Sequence, residues 1–229
     1  MVMVIIDTET TGLDPETDRV VEIAAVRLEK VDDVWAVVSE KSCLVDPGRP
    51  IPAAASAVHH LTDSDVVDAR NLSEAIEYLD LREKDVLVAH NADFDRGMLP
   101  GLATHPWICT WKVANKIIES APSYSNQVLR YHLGLDVRSG DGRDGQPHSA
   151  LYDARTTAQL MLHLLTTITA KEMVAITQEP VLLRKLGFGK HRGVEFAEIP
   201  KDYLKWLRGR DNLDRDLKHT LDVHLGNTQ

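Results

Sequence analysis

The segment Val4–Leu13, VIIDTETTGL, sets Asp7 and Glu9 two positions apart behind an apolar run. On an extended strand, residues i and i+2 point to the same face, so the two carboxylates sit side by side at the strand's end. Like charges about 4 Å apart in a medium of effective dielectric about 20 repel by roughly 4 kcal/mol. A shared proton, a basic partner or a bound cation must offset that cost. Two further acidic segments bear on the choice. In LVAHNADFDRGML a strand gives way to a helix at His90-Asn91, and Asp93 and Asp95 fall in the first helical turn, where the positive end of the helix dipole favours them. Asp93 reads as a cap residue, whereas Asp95 lies beyond the cap position and reads as a ligand. In HSALYD, His148 ends a glycine-containing loop and Asp153 follows early in the next helix. Their spacing does not put them on one helical face; it suits a histidine on a mobile loop and an aspartate on a rigid element.

Asp7, Glu9, Asp95 and Asp153 are hard oxygen donors, with no cysteine or histidine cluster beside them. Such a set favours Mg²⁺ or Mn²⁺ over zinc. Two of these ions about 3.5–4 Å apart would neutralise the acids and clamp a phosphate, activating water on one side and stabilising the leaving oxygen on the other. His148, a histidine beside that water, is the residue type suited to take its proton. A bound cation is therefore the economical offset for the Asp7–Glu9 repulsion. Asp-x-Glu alone is a common triplet; the three acidic clusters together carry the reading.

The elements that must position these groups are legible in outline. Val2–Ile6 is a short strand, and Arg19–Glu29 and Val34–Val45 are β-branched runs joined by the turn KVDD, a hairpin signature. Asn71–Lys84 has apolar residues at helical spacing; DVLVAHN is a buried strand; ADFDRGM is a short helix ended by Pro100-Gly101. TWKVANKII and SNQVLRYHLGL read as helices, the second stopped at Gly134. Arg138–His148 is a loop with three glycines, and the long amphipathic helix after it takes Ser149 as its N-cap. Three antiparallel strands followed by helices alternating with further strands make a mixed α/β sheet. No G-x-G-x-x-G follows the first strand, so a dinucleotide-binding fold is not expected.

At 229 residues the chain is one large domain or a medium domain with a small addition. The periodic pattern weakens around Thr169–Val181, which places an α/β domain over 1–170 and a small, mainly helical module over 181–229. Charge divides along the same line. Residues 179–229 carry 10 basic and 8 acidic side chains, against 16 and 27 over residues 1–178. The overall charge of −9 argues against non-specific coating of nucleic acid but not against an enzyme that acts on it. Cys43 and Cys109 belong to no ligand motif and read as reduced, buried thiols. No apolar run is long enough to span a membrane, and the N-terminus lacks the features of a signal peptide, so a cytoplasmic protein without a membrane partner is expected.

DTETTGL, HNADFD and HSALYD, in that order, resemble the three exonuclease motifs of the DEDD superfamily, His subtype, to which proofreading exonucleases and ribonuclease T belong. VEIAAV, AVHHLT, WICTWKVAN, YSNQVLRYHLGL and the tail FGKHRGVEFAEIPKDYLKWL extend the resemblance over nearly the whole chain, toward one bacterial subgroup. The resemblance implies a ribonuclease-H-like fold and 3′→5′ removal of nucleotides as 5′-monophosphates from DNA ends, single-stranded or duplex, in repair or replication. Carried over by position, it makes Asp7, Glu9, Asp95 and Asp153 the ligands of two Mg²⁺ ions, with Mn²⁺ as a substitute, and His148 the general base. Thr10, Thr11 and Gly12 match the turn that holds the 3′-terminal nucleotide, and Leu13 matches an apolar side chain against the terminal bases. His59 matches a histidine near the substrate, with a structural loop histidine as the alternative. The superfamily includes dimers, and no patch in the sequence decides for or against a homodimer.

In the tail, GFGKHRG sets Lys190, His191 and Arg192 between glycines. One reading is a phosphate-gripping loop that contacts nucleic acid through Lys190 and Arg192; the other is a solvated turn of a small helical module. Two rivals to a DNA exonuclease stand beside it. One is an exoribonuclease of the ribonuclease T type, since nothing in the motifs reads a 2′-hydroxyl. The other is a non-catalytic nucleic-acid-binding module, whose signature, loss of one of the five motif residues, is absent here.

Overall fold

The computed structural model describes residues 1–137 and 142–227; the first four residues of the predicted glycine loop lie outside them. The chain divides into two compact units, Met1–Thr177 and Gln178–Gln229.

In the first unit, β1 (Met3–Thr10), β2 (Val20–Val31) and β3 (Val34–Leu44) form an antiparallel meander. Asp32 and Asp33 both take left-handed backbone, φ 49° and 65°, which matches the tight hairpin turn read from the sequence. The chain continues through α1 (Ala53–His59), α2 (Asp63–Val66) and α3 (Leu72–Tyr78) to β4 (Val86–Ala89). It then runs through α4 (Ala92–Met98), β5 (Trp107–Cys109), α5 (Thr110–Ile117) and α6 (Asn126–His132). After the loop come α7 (Ala150–Leu164) and α8 (Ala170–Gln178). β4 and β5 lie parallel to β1, giving one five-stranded mixed sheet in the order β3-β2-β1-β4-β5.

Alternation along β1 explains both sides of the core. Met3 and Ile5 pack toward α5, α6, α7 and α8, while Val4 and Ile6 pack toward α3 and α4. Burial on both faces is why these strands read as continuous apolar runs. Asp7 and Glu9 continue the Met3–Ile5 face, the one covered by α7. β4, parallel to β1, delivers the start of α4 beside the carboxyl end of β1.

Several local expectations change. The helix expected over Asn71–Lys84 stops at Tyr78, because Asp80 turns left-handed (φ 55°) and the Asp85 carboxylate binds Arg82 N–H and Arg27. β5 has no separate sequence signal, being only three residues long and paired with β4 alone. The stretch where periodicity fades holds α8, whose Ala170 and Met173 are buried in the first unit's core. Cys109 is buried, but Cys43 is only half-buried.

The second unit contains α9 (Lys201–Arg208) and α10 (Arg215–Leu225) around a core of Leu186, Phe196, Ile199, Leu204, Leu207, Leu217 and Leu221. Asp214 caps α10 by accepting from Leu217 N–H at 2.8 Å, and Arg208 pairs with Asp222 at 2.7 Å. Among the described residues of the chain, no helix is long and apolar enough to cross a membrane.

Candidate active site

Three elements deliver the acidic side chains. β1 supplies Asp7 and Glu9 from one face, α4 supplies Asp95 from its first turn, and α7 supplies Asp153 from its first turn. Asp95 is buried, and Thr8 Oγ1 donates to its Oδ1 at 2.9 Å. Asp153 is fixed from two sides: Gln127 Nε2, on α6, donates to Oδ1 at 2.9 Å, and His148 N–H donates to Oδ2 at 2.9 Å. The exposed His148 has φ 63°, the left-handed turn that aims its own amide back at Asp153. Asn126 Nδ2 adds a hydrogen bond to the Asp153 carbonyl at 3.1 Å.

Ligand atoms of Glu9, His148 and Asp153 all lie within 4.8 Å of one another. The charges converge in the same place. Burial first, then the Asp95, Asp153 and Glu9 carboxylates, push Asp7 well above the usual carboxylate range. Burial, with Asp153 and Glu22 behind it, pushes Glu9 up to about 8, the Arg143 guanidinium opposing. Burial raises Asp95 to about 7 against the Thr8 hydrogen bond, and raises Asp153 against the His148 amide and Gln127. Four carboxylates held this close without a compensating cation resist ionisation. Oxygen donors with one imidazole beside them, mutually repelling and partly buried, fit a hard divalent cation.

Sequence reading missed a layer behind these groups. β-pairing sets Glu22 directly opposite Glu9, one step before a bulge at Glu9/Thr10, the kind of irregularity that re-aims chains beside active sites. Glu22 is only 4% exposed and accepts from Arg143 Nη2 and, at 3.0 Å, from Ala150 N–H. Arg143 Nη1 also donates to the His59 carbonyl. Glu22 thus occupies the start of α7 that Ser149 was expected to cap. Ser149 holds the N-cap position, but its hydroxyl makes no cap bond and is buried without a partner among the described residues. The available signal was a lone acid inside the apolar run RVVEIAAV, since a charge buried in a strand needs a partner.

Asp93, read as a cap, is not one: Asn91 holds that position with φ 69°, and Asp93 pairs with Lys112 at 3.3 Å. Thr10, Thr11 and Gly12 form a tied turn at the end of β1. Thr10 Oγ1 donates to the Gly12 carbonyl at 2.6 Å, and Thr11 Oγ1 donates to Asp18 Oδ1 at 2.9 Å. A Cβ at Gly12 would overlap the Asp18 carboxylate, with Oδ1 only 2.7 Å away, so Asp18 would have to shift. Leu13, next in the chain, is 84% exposed. His59 is buried at the end of α1; its Nδ1 accepts from Leu61 N–H at 3.1 Å, and burial followed by Arg143 holds it below the ordinary histidine pKa. Lys190 and Arg192 belong to the second unit and are exposed.

Comparison with known proteins gives concordant results. Residues 4–161 match the family described as Exonuclease (RNase_T). Exodeoxyribonuclease 10 of Escherichia coli (strain K12) is 37% identical over 230 residues, covering 98% of this chain and 99% of that protein. The DNA polymerase III subunit epsilon of Treponema pallidum (strain Nichols) is 30% identical over 170 residues, covering 69% of this chain and 74% of that one. Among solved structures, Exonuclease X in complex with 5′ overhanging duplex DNA superposes with a TM-score of 0.66 at 37% identity, covering 76% of this chain and 99% of the other.

Proposed function

The chain belongs to the Exonuclease family, and from that premise we propose that it is a metal-dependent 3′→5′ exodeoxyribonuclease that releases 5′-mononucleotides from DNA ends in repair or replication. The observation that carries this reading is the convergence of Glu9, His148 and Asp153 ligand atoms within 4.8 Å, beside half-buried Asp7 and buried Asp95. A near-full-length relative named for deoxyribonuclease activity and a relative solved on duplex DNA favour DNA as the substrate.

Asp7, Glu9, Asp95 and Asp153 would hold two Mg²⁺ ions, with Mn²⁺ able to substitute. When bound, the ions supply positive charge to the scissile phosphate and lower the pKa of water. His148 takes the proton from the attacking water; the new P–O bond forms as the bond to the 3′-oxygen breaks, and that oxygen leaves as a hydroxyl after gaining a proton. The Asp153–His148 amide bond keeps the histidine at the lip of the acidic cluster without spending its imidazole. Thr10, Thr11 and Gly12 hold the terminal nucleotide, and the exposed Leu13 packs against its base. His59, buried under the Arg143 contact, acts from behind by holding that loop.

Digestion of 5′-labelled single-stranded DNA with Mg²⁺, comparing wild type with His148→Ala and with a matched RNA strand, tests the reading. A ladder shortening from the DNA 3′ end, lost in the variant, is expected. Trimming of RNA alone would replace it with an exoribonuclease, and no cleavage of either strand would leave a binding module.

A further inference from the structure

The second unit carries an exposed surface that its own core does not use. Gly187–Gly193 is a loop in which Gly189 and Gly193 take φ +69° and +83°, conformations open chiefly to glycine. The loop is seated on α9: a Cβ at Gly189 would stand 3.0 Å from the Tyr203 hydroxyl. From that contact a row of rings continues along the helix. His191 meets Tyr203 edge-on at 4.5 Å, Tyr203 meets Trp206 at 5.2 Å, and the Arg210 guanidinium lies 4.2 Å from the Trp206 ring centre. Tyr203 and Trp206, three residues apart on α9, share one face, and Arg210 lies just past the helix end at Arg208. On the same helix Leu204 and Leu207 fill the core, while Trp206 is 51% exposed and Phe188, in the loop, 48%.

Lys190, Arg192 and Arg210 bring three cations to these rings. Three of the unit's carboxylates are engaged elsewhere: Asp222 with Arg208, Asp214 at the start of α10, and Asp216 with Val181 N–H at 2.9 Å. Among the described residues, none of Lys190, Arg192 and Arg210 is paired with a carboxylate. Half-exposed aromatic rings interleaved with unpaired cations suit one ligand chemistry. Phosphates take the cations and bases take the π-faces, in any base sequence. An acidic peptide would satisfy the cations but leave the rings in water.

We propose that the Gly187–Gly193 loop, the Tyr203–Trp206 face of α9 and Arg210 just beyond its end form a metal-independent binding surface for single-stranded nucleic acid, with Lys190 and Arg192 on phosphates and Trp206 stacked on a base. The inference rests on the nuclease reading of the first unit only for the identity of the ligand. Because no metal takes part, binding persists when the first unit's cations are removed.

The test is fluorescence anisotropy of labelled (dT)₂₀ with the full chain in EDTA across a salt series, beside digestion of the same strand in Mg²⁺. Trp206→Ala weakens binding about tenfold, and Trp206→Phe keeps most of it. Lys190→Ala with Arg192→Ala flattens the salt slope by about 1.4, the share of two phosphate contacts. Unchanged affinity in all three variants, or no binding by wild type in EDTA, overturns the inference even where wild type digests DNA. Failure of wild type to digest DNA in Mg²⁺, with binding in EDTA still dependent on Trp206, would remove the nuclease reading and leave this one standing. Circular dichroism of Trp206→Phe and Trp206→Ala keeps a folding defect distinguishable from lost contact.

Discussion

The Arg143 guanidinium closes on the Glu22 carboxylate, and Glu22 stands directly across the β1–β2 pair from Glu9. A residue of the His148 loop is therefore anchored to the strand next to the one bearing two of the acids. The same guanidinium reaches the His59 carbonyl, and Arg155 Nη1 holds the Asp144 carbonyl of that loop at 3.1 Å. Arg143→Ala should lower kcat by about 10²-fold, the scale of a misplaced catalytic group, while Arg143→Lys keeps part of the activity. The variant also strands a buried carboxylate. Adding Glu22→Gln should therefore recover thermal stability without recovering kcat, as melting curves and single-turnover rates would show. Equal recovery of both would make Arg143 a purely structural residue.

Stability should depend on pH and cation together. Folding raises Glu9 to about 8 and Asp95 to about 7, from ordinary carboxylate values near 4. Between those limits the folded state keeps protons that the unfolded chain has released. Cation-free protein therefore loses stability as pH rises from about 4 through 8. A divalent cation binds only the folded, ionised site and should flatten that loss. Scanning calorimetry of the EDTA-treated protein at pH 5, 7 and 9, with and without Mg²⁺, reads the effect; a cation shift of equal size at pH 5 and 9 would contradict it. Asp7→Asn should raise the melting temperature of the cation-free protein and reduce its response to Mg²⁺.

Gln127 touches no proposed metal position, yet it donates to Asp153 Oδ1 at 2.9 Å. Groups that orient a ligand typically matter about 10- to 100-fold in metal affinity or activity. Gln127→Ala should raise the Mg²⁺ concentration needed for half-maximal rate by about tenfold, with little change in melting temperature. An unchanged Mg²⁺ dependence would mean that the His148 amide alone fixes Asp153.

Gly12→Ala drives a methyl group into the Asp18 carboxylate. The Asp18 carboxylate, which accepts from Thr11 Oγ1 at 2.9 Å, must then shift. A loss of about 1–3 kcal/mol is expected from such overpacking, together with a raised KM for oligonucleotides. Urea unfolding at neutral pH measures the first effect and initial rates the second.

Leu13 gives the converse case. At 84% exposure it contributes little to the fold, and Leu13→Ala should change stability by no more than about 0.5 kcal/mol. Its contact is with substrate in the proposed mechanism, so KM should rise several-fold with the melting curve unmoved. A KM equal to wild type would remove Leu13 from the strand-binding turn.

The sequence by itself determined the parts whose physics is local. Strand period fixed Asp7 and Glu9 on one face of β1. Turn chemistry marked the Asp32-Asp33 hairpin, and the order of acidic motifs marked which carboxylates converge in the fold. Tertiary structure decided whatever depends on partners distant in the chain. Glu22 reads as one acid in an apolar strand until β-pairing sets it against Glu9 and the loop brings Arg143 to it. Ser149 carries the residue type of a cap, but a carboxylate from β2 reaches the Ala150 amide instead. Folding leaves Trp206 half in water because Leu204 and Leu207 already fill the small core beneath it. Local propensity acts within a few residues, whereas pairing register, charge partnership and the capacity of a core exist only once the whole chain has folded.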